Sequence, residues 1–153
     1  MLIMAKRFLA LILTALALVP GGAHLLALPN KIAMDHDQYL ATQQVYRGWA
    51  LVGVVLIAAL LANLALAFAL RGRGRGAALA TAACALIAVS FAVFFVWTWP
   101  ANQATENWTR LPADWEELRR QWEYSHAVNA LLIFAALCCS AGAALSRPPA
   151  SAP

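Results

Sequence analysis

Charge is what this chain has least of. Asp, Glu, Lys and Arg make up 12% of its 153 residues, about half the share usual in soluble domains. The scarcity is uneven as well. No carboxylate falls within any of four apolar runs, residues 8–28, 49–70, 77–97 and 127–145. Each run reaches the ~20 helical residues needed to cross about 30 Å of hydrocarbon. The absence argues against a drug/proton antiporter, which carries its proton on an acid inside a span. The polar residues that remain fill two loops and two tails, too few for a separate soluble domain. The expected fold is all-α: a single four-helix transmembrane bundle spanning residues 1–153.

A second absence is acid beside half of the helix ends. The amino end (Lys6, Arg7), the RGRGRG turn (Arg71, Arg73, Arg75) and the tail (Arg147) hold only cations. The other two connections contain all seven carboxylates, Asp35, Asp37, Glu106, Asp114, Glu116, Glu117 and Glu123, against five cations, Lys31, Arg47, Arg110, Arg119 and Arg120. Basic residues near helix ends are retained on the cytoplasmic side, so both termini and the RGRGRG turn are expected there, in a multi-pass protein of a plasma membrane. The formal net charge of +4 is explained by topology and calls for no nucleic-acid partner. The first twenty-odd residues also have the basic start, apolar stretch and small residues of a secretory signal, with a cleavage point after Ala23. The apolar character resumes immediately as HLLAL, which favours a retained first span; cleavage would leave three.

Cysteine is sparse too. Cys84, Cys138 and Cys139 all fall toward the cytoplasmic ends of their spans, away from the side where disulfides persist. They read as packing residues. With no CxxC pair, a quinone-linked disulfide oxidase of the four-helix type is excluded, and the lack of loop cysteines excludes a claudin-like adhesion role.

Tryptophan and tyrosine are missing from the cytoplasmic interface altogether. Trp49, Trp97, Trp99, Trp108, Trp115 and Trp122, with Tyr39, Tyr46 and Tyr124, all belong to the outer side, whereas an ordinary aromatic belt populates both interfaces. The asymmetry points to an aromatic cap that either braces the outer loops or lines a slot for a flat apolar ligand.

The outer connections are expected to be helical. Asp35 followed by Gln38 has capping-box spacing, opening an amphipathic helix that runs into the second span with Tyr39, Gln43 and Tyr46 or Arg47 on one face. Farther on, Pro112 suits a first helical turn, and Asp114, Glu116 and Glu117 suit a helix amino end. Glu116 and Arg120 have the spacing of an ion pair. From Ala113 the pattern runs without a breaker into the fourth span, and Trp115, Leu118, Trp122, His126 and Asn129 form one stripe. Its polar members are expected to face other helices. In the first span, VPGG (residues 19–22) predicts a kink. Asn63, the one strongly polar side chain of the second span, is expected to bond a neighbouring helix.

His24 and His126 lie near the outer ends of the first and last spans, which are neighbours in most four-helix arrangements. Imidazole is the side chain best suited to moving protons near neutral pH. A metal site needs at least three convergent ligands, and these two histidines are the only convergent pair, so no metal is assigned. The DHD triplet at residues 35–37 reads as a solvated helix cap, because neighbouring side chains on a helix do not point together.

HLLALPNKIAMDHDQYLATQQVYRGWALVG, together with NQATENWTRLPADWEELRRQWEYSHAVNA, resembles bacterial members of the anthrone-oxygenase-like family of small four-span membrane proteins. The resemblance extends over nearly the whole chain. In that family the last span opens with a tryptophan, then a histidine or asparagine four residues on, then often an arginine three further. Trp122 and His126 match, and Asn129 stands in the arginine's place. The resemblance implies a bacterial inner-membrane location and, by analogy with some fungal members, oxidation of an anthrone-like compound without a recognised cofactor. On that expectation His126, His24 and Asn129 are catalytic candidates. Trp122, Trp108, Tyr46, Arg47 and Asn102 would contact a hydrophobic aromatic or quinone-like ligand, with Asn129 or Asn102 stabilising an oxyanion. The competing expectation is a non-enzymatic scaffold or accessory subunit whose aromatic cap docks a partner membrane protein.

Overall fold

The computed structural model describes residues 1–72 and 74–146; Arg73 and Arg147, two of the cations used to orient the chain, lie outside the described residues. Six α-helices follow in order: α1 (Leu2–Lys31), α2 (His36–Gln43), α3 (Gly53–Leu70), α4 (Arg75–Val93), α5 (Trp99–Ala104) and α6 (Trp115–Leu145). Short 3₁₀ turns at Gln44–Tyr46 and Trp49–Val52 lead into α3, and a π-helical stretch at Phe94–Thr98 joins α4 to α5. Four rods result, Leu2–Lys31, Trp49–Leu70, Arg75–Ala104 and Trp115–Leu145, each long and apolar enough to cross a membrane.

The rods form a ring in which α1 packs on α3 and α6, and α4 packs on α3 and α6. Consecutive rods are therefore neighbours, as short connections require. Arg7 donates to the Ser146 carbonyl at 2.9 Å, which ties the start of α1 to the end of α6. Small residues form the seams: Ala10, Ala59, Ala80, Ala83, Ala136 and Ala143 are fully buried, and such residues let helices approach closely where lipid removes the hydrophobic drive between them. Only 17% of the apolar stretch of α1 is buried. Phe8, Ile12, Leu16, Val54, Leu61, Phe68 and Phe134 stay on the outside, an apolar surface suited to lipid contact.

Asn63 sits at the centre of the bundle. Its Nδ2 donates to Thr14 Oγ1 at 2.8 Å and to the Ala59 carbonyl at 2.9 Å, and its Oδ1 accepts from Ser140 Oγ at 2.6 Å. One amide thus links α1, α3 and α6.

Two sequence expectations need correction. α2 does not continue into the second span: Gly48 takes φ +86°, a left-handed conformation open to glycine, and redirects the chain before Trp49. VPGG lies within α1, which stays helical through Pro20 to Lys31. Glu116 and Arg120 remain exposed, and no ion pair joins them among the described residues. By contrast, Asp35 does cap α2, accepting from the Gln38 backbone N–H at 2.9 Å.

The π stretch was not anticipated. Pro100 lies two residues past its end; in an α-helix its ring would meet the carbonyl of Val96, which would also lack a donor. Widening the turn over Phe94–Thr98 accommodates the proline without ending the rod. It leaves Thr98 buried beside Ser125 at 2.8 Å and the Trp97 carbonyl accepting from Gln121 at 2.8 Å.

Candidate functional site

The end of the bundle opposite the termini is closed by an aromatic cluster in which Tyr39, Trp108 and Trp122 are buried. Trp108 arrives through an unusual backbone. Glu106, Asn107 and Trp108 have φ of +50°, +57° and +61°, a left-handed turn that costs L-residues roughly 1–2 kcal/mol each. Hydrogen bonds hold it: the Asn107 N–H donates to the Asn102 carbonyl at 2.7 Å, and the Trp108 N–H to Thr105 Oγ1 at 3.1 Å. The turn folds the Trp108 indole back over α5, where its Nε1–H reaches Asn102 Oδ1 at 3.2 Å. The Trp122 indole reaches the same oxygen at 2.8 Å. Both indoles can only donate, so the Asn102 oxygen faces them and its amide nitrogen points the other way.

Beneath this cluster lies a cavity of about 520 Å³ between the rods. The structure brings all eight sequence-predicted site residues to its wall: His24, His126, Asn129, Trp122, Trp108, Tyr46, Arg47 and Asn102. Trp49, Trp99 and Phe94 add further aromatic surface, and Ala17, Leu56 and Ile133 form an apolar floor. Gly21 makes the wall possible: a Cβ there would stand 3.3 Å from Ala130 Cα, so glycine lets α1 and α6 close up just inside the histidines. The His24 and His126 rings stack with centroids 4.3 Å apart and planes 26° from parallel. Trp122 stands edge-on to both, at 4.8 Å from His24 and 4.3 Å from His126, and Tyr46 covers His24 at 4.3 Å.

Behind the histidines is a polar group that sequence reasoning missed. Lys31 and Glu123 read as exposed loop charges, yet they are 2% and 0% exposed and paired at 2.8 Å. Lys31 Nζ also meets His24 Nδ1 at 3.1 Å and lies over the rings of Tyr46 and Trp122 at 4.7 and 5.1 Å. The Tyr39 hydroxyl donates to the same Glu123 oxygen at 3.0 Å. Burial, and then the adjacent carboxylate, push the Tyr39 phenol well above its ordinary range, and the same two causes raise Tyr46. Arg119, also buried, donates to the Met34 carbonyl at 2.5 Å and lies over Trp115 at 4.6 Å. Glu123 Oε2 and Asn129 Oδ1 are buried without a partner among the described residues.

One signal for Lys31 was present in the sequence. Ala10, Thr14, Ala17, His24 and Lys31 are the buried positions of α1, all on one three- and four-residue register; His24 and Lys31 are two turns apart on the face that carries the core.

The arrangement places two titratable rings and a donor amide around an apolar, aromatic-walled space. No group of three or more His, Cys, Asp or Glu side chains able to hold a metal occurs among the described residues. His36 points elsewhere, pairing with Asp37 at 2.8 Å in an exposed position. Comparisons with protein-family models, with curated proteins and with solved structures find no match, so a functional reading stands on this geometry and on the resemblance in the sequence.

Proposed function

We propose that this protein binds a flat hydrophobic aromatic or quinone-like compound in the cavity between its rods, and that it is an oxygenase-like oxidoreductase akin to the anthrone-oxygenase-like family. The observation that carries the reading is the convergence of the stacked His24–His126 pair and four indole rings on one apolar cavity. Ligand pockets have this make-up, a mostly apolar wall with a few convergent polar groups.

The chemistry follows from the lining. His126 takes a proton from an activated ring CH₂ of an anthrone-type ketone. The carbanion adds to dioxygen, and the resulting hydroperoxide loses water to leave a second ring carbonyl. Dioxygen is thereby reduced and the ring carbon oxidised, with one water formed per quinone. Asn102, whose amide nitrogen is free of the two indoles, and Asn129 supply donors to the developing oxyanion. The site opens toward the outer face of a bacterial inner membrane with both termini in the cytoplasm, a placement supported by the all-basic termini and turn.

Turnover of anthrone with dioxygen uptake by the purified protein in lipid nanodiscs tests the reading. His126→Ala is expected to reduce turnover by about 10²–10⁴-fold, the usual worth of a general base. Full turnover in that variant would remove the mechanism. Stoichiometric co-purification of a partner membrane protein, with no ligand bound, would favour the scaffold reading instead.

A further inference from the structure

We infer that Lys31 fixes the His24 tautomer with its proton on Nε2, so that the cavity wall carries a standing hydrogen-bond donor that selects flat ligands bearing an acceptor oxygen over the parent hydrocarbon. The tautomer stands on contacts within the chain; the ligand class rests on the reading proposed above.

Lys31 Nζ sits 2.8 Å from Glu123 Oε1 and over two aromatic faces. A carboxylate together with two π-faces is a site for an ammonium. An ammonium has three donors and no acceptor. The 3.1 Å contact with His24 Nδ1 therefore requires a lone pair on Nδ1, and the ring proton belongs on Nε2. His24 Nε2 has no hydrogen-bond partner among the described residues, while the residue itself lines the cavity.

The two stacked imidazoles then have different tasks. His24 cannot serve as the base through either nitrogen: one lone pair is taken by Lys31 and the other position holds the proton. It donates to a ring carbonyl or phenolate oxygen. His126 makes no side-chain hydrogen bond among the described residues and keeps a free lone pair for proton removal. Lys31 is thus a positioning residue. Glu123 holds Lys31, and Tyr39 holds Glu123.

Nitrogen-15 NMR of histidine-labelled protein in nanodiscs reads the tautomer directly, with the His24 signals identified by their loss in His24→Gln. The wild type is expected to show His24 as the Nε2–H form alone. In Lys31→Met that exclusive preference is expected to be lost. A wild-type His24 carrying its proton on Nδ1, or on both nitrogens, would overturn the inference, and this holds even if Lys31→Met does not fold. Binding of fluorenone and fluorene, flat compounds that differ by one carbonyl, gives the second readout after correction for lipid partitioning. Fluorenone is expected to bind about fivefold tighter to the wild type, the worth of roughly one hydrogen bond, and equally with fluorene to His24→Phe. Equal binding of both to the wild type would overturn the selectivity. Failure of both to bind would overturn the ligand class of the proposed function, and the NMR result would still decide the tautomer.

Discussion

Removing either partner of the Lys31–Glu123 pair leaves a bare charge in a dry site, which typically costs about 3–5 kcal/mol, whereas replacing both with apolar residues costs far less. Lys31→Met and Glu123→Leu should each lower unfolding stability in detergent strongly. The double variant should recover most of the loss, and a simply additive cycle would show that the pair is not coupled. Tyr39 gives a pH signature. Its phenol stays protonated when folded but ionises near pH 10 in the unfolded chain, so the unfolded state sheds the proton first and stability falls as pH rises past that point. Tyr39→Phe should flatten this alkaline slope; an unchanged slope between pH 10 and 12 would contradict the buried donor. At this scale the sequence was half legible. His24, His126 and Asn129 stood out because polar groups at membrane depth are rare. Glu123 did not, because it lies in the charged run EELRRQWEYS, where nothing local separates a carboxylate facing water from one facing Lys31, 92 positions away in the chain.

Among the elements, the long helices followed from hydrophobic length alone, and the unbroken passage of α6 from loop to span followed from the lack of a breaker before Gly142. The departures arose where backbone geometry, not side-chain character, decides. Gly48 ends the approach to α3, Pro100 widens a turn of the third rod, and three consecutive left-handed residues place Trp108. The last of these depends on Asn102, which accepts from both buried indoles. Asn102→Ala leaves two indole N–H groups without an acceptor, at about 1–3 kcal/mol for each one that stays buried. The expected result is a clear loss of stability with altered tryptophan fluorescence; a silent substitution would mean the cluster does not need the amide. Asn63→Leu should behave differently. Its bonds to Thr14 and Ser140 lie in the middle of the bundle, so the variant should lose about 1 kcal/mol while binding in the cavity is retained.

For the whole molecule, charge and aromaticity divide the ends of the bundle in opposite senses, and that division was readable from composition. The pairing of the first rod with the last followed from the usual neighbourhood of those spans in four-helix arrangements. What composition could not give was depth: how far below the aromatic cluster the apolar floor lies, and that the closing faces of α1 and α6 bring two imidazoles into stacking contact. Reporter fusions should place the termini and the RGRGRG turn on one side and the Glu106–Thr109 turn on the other. The central claim, that the cavity under the aromatic cluster takes a flat aromatic ligand, is tested most directly by irradiating the protein in nanodiscs with an anthraquinone photoprobe and mapping the adducts by peptide mass spectrometry. The account predicts adducts concentrated on the lining residues of α1, α6 and the Tyr46–Gly53 segment, and suppressed by excess fluorenone. Adducts spread over the lipid-facing side chains of all four rods, and indifferent to the competitor, would contradict it.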